Sequence, residues 1–156
     1  MSRREQIRMT EAEIGDFLRR SKTIILVSNG RDGYPHPMPM WFSLAADGAI
    51  AMTTYTRSQK VENLRRDPRV SLLVESGHEY GELRGIVMYG KAELIEDVER
   101  VIDTLVAASG RGSEQTPQQL AALRGSMRRT ATKRTVIRVL ADRVVSWDHA
   151  KLGGAY

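Results

Sequence analysis

The chain has 156 residues, no cysteine, and 24 basic against 19 acidic side chains, for a net charge of +5. That length suits one domain spanning residues 1–156, and the missing cysteines exclude disulfides, thiolate metal sites and a cysteine nucleophile. The basic residues are interleaved with acids, with neither an RNP-type aromatic motif nor zinc-finger spacing, so the excess charge points to small anionic ligands and away from nucleic acid.

In chain order, the N-terminal MSRREQIRMTEAEIGDF has no apolar core of signal-peptide length. No later segment approaches the roughly 20 apolar residues of a membrane span, so a cytoplasmic protein without membrane contact is expected. Thr10 with Glu13 three residues later is a capping box, and Ile14, Phe17 and Leu18 fall on one face, predicting a short amphipathic helix over TEAEIGDFLRRS. KTIILVSNG reads as an apolar strand ending at Asn29-Gly30, and a second turn signal at Asp32-Gly33 predicts a hairpin. The return strand, His36 to Leu44, carries Pro37 and Pro39, which cannot donate ladder hydrogen bonds, so it belongs at a sheet edge or bulges open at a site.

Asp47-Gly48 marks the next tight turn, ahead of the strand AIAMTTY. Ser58 is the candidate N-cap of the helix SQKVENLRR, about two turns long, and Asp67-Pro68 stops it because a residue before proline avoids helical geometry. VSLLVE and RGIVMYGKAELIE follow as strands on either side of the polar loop SGHEYGEL. Two helices, 96–108 and 117–131, come next, with GRGSEQT between them and Pro117 in the first turn of the second. Val98, Val101, Ile102 and Leu105 form a core stripe at helical spacing. The last strand, KRTVIRVLADRVVSW, is interrupted near Ala141-Asp142, and the tail DHAKLGGAY is too rich in glycine for a regular element. About six strands in all predict a mainly β, α+β architecture whose sheet curls into a barrel flanked by helices.

Chemistry concentrates between Ala51 and Glu75. A strand ending in Thr53 and Thr54 leads to a turn holding Ser58, Gln59 and Lys60, where helix N–H groups stand beside hydroxyls and an ammonium, a combination suited to phosphate. On the residues alone, a solvated surface lysine is the favoured alternative for Lys60, and β-propensity also accounts for Thr53 and Thr54. His36, His78 and His149 are not grouped with carboxylates and no Gly-x-Ser-x-Gly run is present. Neither a metal site nor a catalytic triad is expected, and no catalytic side chain is assigned.

Gly33-Tyr34-Pro35 before a strand, Thr53-Thr54 at a strand end and Ser58-Gln59-Lys60 in the following turn together resemble the split β-barrel flavin and deazaflavin oxidoreductases, the superfamily of pyridoxamine 5′-phosphate oxidase, with its FMN-binding-protein-like barrel. The spacing matches without gaps from Trp41 to Lys60, and the order of elements extends the likeness over nearly the whole chain. In the oxidase the final strand leads to a Trp and then an Arg-Leu pair that reach the partner subunit's cofactor; Trp147 and Lys151-Leu152 stand in those places. SQKVENLRRDPRVSLLVE and SWDHAKLGG look like the small actinobacterial branch that depends on coenzyme F420. Met38 and Ser43 stand in the strand where the oxidase has basic residues and its Arg-x-His substrate motif is absent, which argues against oxidation of pyridoxamine phosphate.

The resemblance implies a homodimer whose two cofactor sites lie in grooves between subunits. It implies coenzyme F420 as cofactor, with FMN as the alternative, and hydride transfer to or from a small organic substrate. The competing function is a carrier or sensor that binds a flavin or F420 without turnover. The implied cofactor contacts are Pro37, Met38, Pro39, Met40, Trp41, Thr53, Thr54, Ser58, Gln59, Lys60, Trp147 and Lys151. Lys60 and Ser58 are expected at the phosphate, and backbone groups of Met38 and Met40, freed by their proline neighbours, at the polar edge of the ring. The alternatives are a proline-protected edge for Pro37 and Pro39, core for Trp41 and surface for Gln59. Trp147 is expected to pack on the ring across the subunit interface.

Overall fold

The computed structural model describes residues 2–110 and 115–153. Its elements are α1 (Arg3–Gln6), α2 (Glu11–Arg20), β1 (Thr23–Asn29), β2 (Pro35–Trp41), β3 (Ser43–Leu44), β4 (Ile50–Tyr55), α3 (Gln59–Arg66), β5 (Arg69–Ser76), β6 (Arg84–Ile95), α4 (Val98–Ser109), α5 (Pro117–Ala131) and β7 (Arg134–Asp148). Short 3₁₀ turns add Tyr80–Glu82 and His149–Leu152. The middle of the GRGSEQT connector and the end of the Gly-rich tail lie outside the described residues.

α2 starts as its capping box requires: the Thr10 hydroxyl accepts from the Glu13 N–H at 3.3 Å, and the Glu13 carboxylate accepts from the Thr10 N–H at 2.6 Å. Its apolar side buries Phe17 and Leu18. The β1–β2 hairpin closes through Gly30, whose N–H donates to the Tyr34 carbonyl at 2.9 Å, and Gly33 adopts the positive φ of 86° that the turn needs.

Seven antiparallel strands form one sheet in the order β2-β1-β5-β6-β7-β4-β3. β2 and β3 are separated in sequence only by Phe42, yet they lie at opposite ends of that order. The sheet must therefore curl until its edges approach, which makes a split barrel with β2 beside β4 but not paired to it. The predicted single strand from His36 to Leu44 breaks in two because Phe42 turns into the core, 5% exposed, after which Ser43 and Leu44 pair with β4. That break is the source of the seventh strand.

Alternation sorts the two faces of the sheet. Ile24, Leu26, Val70, Leu72 and Val74 point into the barrel and pack with Met52, Ile86 and Ile137. Each such fully buried side chain contributes about 1.5–3 kcal/mol. A second apolar cluster lies outside the barrel, where α4 and α5 cover β4 and the first half of β7. Val101 and Ile102 are buried there with Val98 and Leu105 packed against them, as their spacing predicts. The interruption at Ala141-Asp142 is a bulge within a continuous β7: Tyr89 pairs with Arg143 and Gly90 with Ala141, which leaves Asp142 without a partner across the ladder.

The remaining outer face is apolar along one register row, Pro39–Ile25–Leu73–Val87–Val145, running across β2, β1, β5, β6 and β7. Trp41 and Trp147 belong to the same face, by register with Thr23 and Gly85. No helix of the described residues is long and apolar enough to cross a membrane.

Candidate functional site

β4 delivers Thr53 and Thr54 to opposite faces of its C-terminal end, and the chain turns there into α3. Lys60, in the first turn of α3, is only 8% exposed. Its Nζ donates to Thr54 Oγ1 at 3.0 Å, and the Thr54 hydroxyl donates in turn to Ser58 Oγ at 3.3 Å. No carboxylate among the described residues pairs with Lys60. Burial holds the ammonium below its ordinary pKa, and the charge of Arg134 nearby adds to the shift.

Arg134 approaches from the other side. It opens β7 directly opposite Tyr55. Its guanidinium stacks on the Tyr55 ring, 4.4 Å from the centroid, and its Nη1 donates to Thr53 Oγ1 at 3.4 Å. Its Nε is buried without a hydrogen-bond partner. Two cations thus flank the end of β4 from opposite faces, Lys60 satisfied only by a hydroxyl and Arg134 by a hydroxyl and a ring. Leaving a buried charge unpaired costs several kcal/mol, and no carboxylate among the described residues offsets that cost at Lys60.

Ser58 occupies the N-cap position of α3, but its side chain makes no capping hydrogen bond, whereas Thr10, Asp97 and Thr116 cap α2, α4 and α5. The Ser58 hydroxyl is engaged by Thr54 instead and caps no first-turn N–H of α3. Gln59 does not join the cluster. Its Nε2 donates to Asn63 Oδ1 at 2.9 Å, and it lines a separate cavity of about 680 Å³ with Arg31, Tyr34, His36 and Arg66.

The β2 edge differs from expectation in one respect. The β1–β2 register runs unbroken through both prolines, Val27 opposite Pro37 and Ile25 opposite Pro39. A proline cannot donate, so each must sit in a non-hydrogen-bonded pair, with its carbonyl directed away from β1. Met38 and Met40 are therefore committed to the ladder, and the free backbone groups at the edge are the carbonyls of Pro37 and Pro39. Side chains divide the same way: Met38 and Met40 are half-buried on the barrel side, while Pro37, Pro39 and Trp41 face outward. Trp41 is 58% exposed, with Lys22 Nζ 4.5 Å from its ring centroid, and so is not core.

At the far end of β7 the Trp147 indole lies across Gly85, where a β-carbon would strike the ring. Lys151 is held by the Glu13 carboxylate at 2.7 Å and by the Arg8 carbonyl at 2.9 Å. Its charge is thus already matched within the chain. His149 packs on Tyr80, with ring centroids 4.4 Å apart and Nδ1 3.0 Å from the Tyr80 carbonyl, a structural role.

The sequence profile of pyridoxamine 5′-phosphate oxidase matches residues 10–148. The chain belongs to that family. Among solved structures, Rv2991, a conserved hypothetical protein from Mycobacterium tuberculosis, is 40% identical over 100% of this chain and 95% of its own, with a TM-score of 0.86. An F420 reductase at 20% identity shares the fold over 83% of this chain and 93% of its own, with a TM-score of 0.60. A FAD-binding protein from Mesorhizobium loti does so at 18% identity, over 88% and 94% of the two chains, with a TM-score of 0.62. No protein with a curated description matches the sequence.

The region matched to the pyridoxamine 5′-phosphate oxidase family includes both walls of the cationic cluster, the turn with Lys60 and the strand with Arg134. Sequence reasoning found the first wall and missed the second. One signal was present: Gln115 to Ala141 contains no acidic residue, so the basic side chains at the start of β7 have no local counter-charge.

Proposed function

We propose that this protein is an oxidoreductase that seats the phosphate of a flavin-type cofactor, coenzyme F420 or FMN, at the end of β4 and passes a hydride between it and a small organic substrate. The observation that carries the reading is Lys60, a buried ammonium with one hydroxyl partner and no carboxylate. The orphaned Arg134 Nε and the uncapped first turn of α3 fit the same phosphate. Lys60 and Arg134 would supply charge, Thr53, Thr54 and Ser58 would supply hydroxyls, and α3 its N–H groups.

The edge of β2 suits the polar rim of the ring. The Pro37 and Pro39 carbonyls accept, matching the imide N–H that flavins and deazaflavins share, and Trp41 offers an exposed aromatic surface on the same strand. The bound cofactor supplies the two-electron chemistry; this chain binds, orients and shields it from water. No side chain needs to act as an acid or base for that role.

A homodimer completes the site in this reading. Trp147 sits at the opposite end of β7 from Arg134, so only a second copy brings it beside the cationic cluster. The apolar row from Pro39 to Val145 is the surface on which the copies would meet, and a stable interface needs about 1,600 Å² in total. Lys151 is left out of the proposed contacts because Glu13 already neutralises it.

The test is titration of the purified protein with FMN and with coenzyme F420, followed by fluorescence, beside Lys60→Ala. The reading expects micromolar binding of at least one cofactor and a loss of tenfold or more, roughly, in the variant. Failure of both to bind at micromolar concentration would overturn it. Binding without any acceptor that consumes the reduced cofactor would assign a carrier instead, and a monomer in sedimentation would contradict the shared groove.

A further inference from the structure

Gly85 stands within β6, directly opposite Trp147 on β7. A glycine inside a strand weakens it, so its presence needs a reason. Backbone conformation does not supply one, because Gly85 is not among the glycines with positive φ. Space does. A β-carbon at this position would fall 2.8 Å from Cη2 and 3.0 Å from Cε2 of the Trp147 indole, and closer still to Cζ2. The indole therefore lies across the main chain of β6 and leaves Gly85 buried beneath it, which only a residue without a side chain permits. The backbone on each side of the ring is fixed by the N-terminal segment. The buried Ser146 hydroxyl accepts from the Met9 N–H at 3.1 Å, and the Asp148 N–H donates to the Ile7 carbonyl at 2.7 Å. Trp147 is thus held by its floor and through both of its neighbours within a single chain.

We infer that Gly85 is a positioning residue for cofactor binding: by giving the Trp147 indole a floor without a β-carbon, it sets the height and tilt at which that ring meets the cofactor held by a second copy of the chain. The inference rests on the reading above, in which the second copy brings Trp147 to the cofactor, and adds the residue that aims it. Stacked rings must match in plane and offset, so a tilt forced by one methyl group loses the contact although nothing at the phosphate seat has changed. Ile7 and Met9 serve the same end by fixing the main chain on either side of the ring.

Titrations of the full chain with FMN and with coenzyme F420 test this, using wild type, Gly85→Ala, Trp147→Leu and the double variant, with the emission of the bound cofactor at saturation read beside affinity. Gly85→Ala is expected to weaken binding about fivefold, and the double variant to bind no worse than Trp147→Leu, because the methyl group costs nothing once the indole is gone. At saturation, cofactor emission quenched by the stacked indole should rise about twofold in Gly85→Ala. Ser146→Ala removes the hydroxyl that holds Met9 and should weaken binding about threefold, again only while Trp147 is present. That variant carries the test if Gly85→Ala does not fold. If Gly85→Ala binds as wild type does, or weakens binding by the same factor in the Trp147→Leu background, the positioning role is overturned and the cofactor reading stands. If Trp147→Leu binds as tightly as wild type, the positioning role and the shared groove fall while the Lys60 seat remains. If neither cofactor binds wild type, the cofactor reading and this inference fall together.

Discussion

Two parts of the molecule are rich in basic side chains and treat them in opposite ways. On the α4–α5 flank, Arg124 donates to Asp103 and, at 2.8 Å, to Glu99, and Arg128 donates to the same Glu99 at 2.6 Å. At the β4–α3 turn, Lys60 and Arg134 find hydroxyls and a ring, and no acid. Exposed ion pairs of the first kind contribute little to stability, whereas an unpaired, buried charge of the second kind is costly. The fold thus supplies acids where they matter least and withholds them where they matter most. A counter-charge that arrives with a ligand, as proposed above, would account for that inversion.

The largest effect that would break the comparison is expected from Lys60→Met. Affinity for FMN or coenzyme F420 should fall by about 100-fold by titration, since a charge-assisted contact to phosphate is lost. The unliganded protein should at the same time be stabilised, on the order of 1 kcal/mol in denaturant unfolding, because an apolar side chain replaces an uncompensated charge. Loss of both affinity and stability would instead mark Lys60 as a structural residue. Next comes Arg134→Met, expected to weaken cofactor binding about tenfold while leaving the thermal midpoint nearly unchanged.

The pH dependence sharpens the contrast. Burial and Arg134 lower the folded-state pKa of Lys60, so between that lowered value and the ordinary lysine value the unfolded chain binds more protons. Stability of the unliganded protein contributed by this group therefore rises with pH through that window, the reverse of a paired lysine. Phosphate favours the charged form, so cofactor affinity falls over the same window and binding takes up a proton. Calorimetry in buffers of different ionisation enthalpy would measure that uptake. The smallest effect is expected on the flank: Arg124→Met should leave cofactor affinity unchanged and shift the thermal midpoint only slightly. The Glu99 carboxyl, held low first by Arg128 and then by Arg124, should lose its small contribution only as pH falls into the acid range.

What could be read in advance was mostly local. The Thr10–Glu13 box, the Gly33 turn and the proline-marked edge strand each depend on a few neighbouring residues, and the structure has all of them, while the interruption expected near Asp142 is a bulge in a continuous strand. The break at Phe42 was not legible, because it depends on the barrel core being open to one more side chain just where β2 must leave β1. The wrong assignment of free backbone groups to Met38 and Met40 came from knowing that prolines cannot donate without knowing the register, which puts the prolines themselves in the outward positions. Arg134 was hidden for a different reason. Among many arginines, only the pairing of Tyr55 with a residue far along the chain identifies the one that faces the Lys60 turn.

If Lys60 is kept for a ligand's phosphate, as proposed, its protonation reports on that directly. Lysine side-chain signals followed by NMR as pH is varied, with the Lys60→Met spectrum giving the assignment, would show Lys60 with and without saturating FMN or coenzyme F420. Lys60 should titrate below the exposed lysines in the free protein and move upward when the cofactor binds. A Lys60 signal that titrates with the surface lysines and does not move on adding either cofactor would contradict the claim.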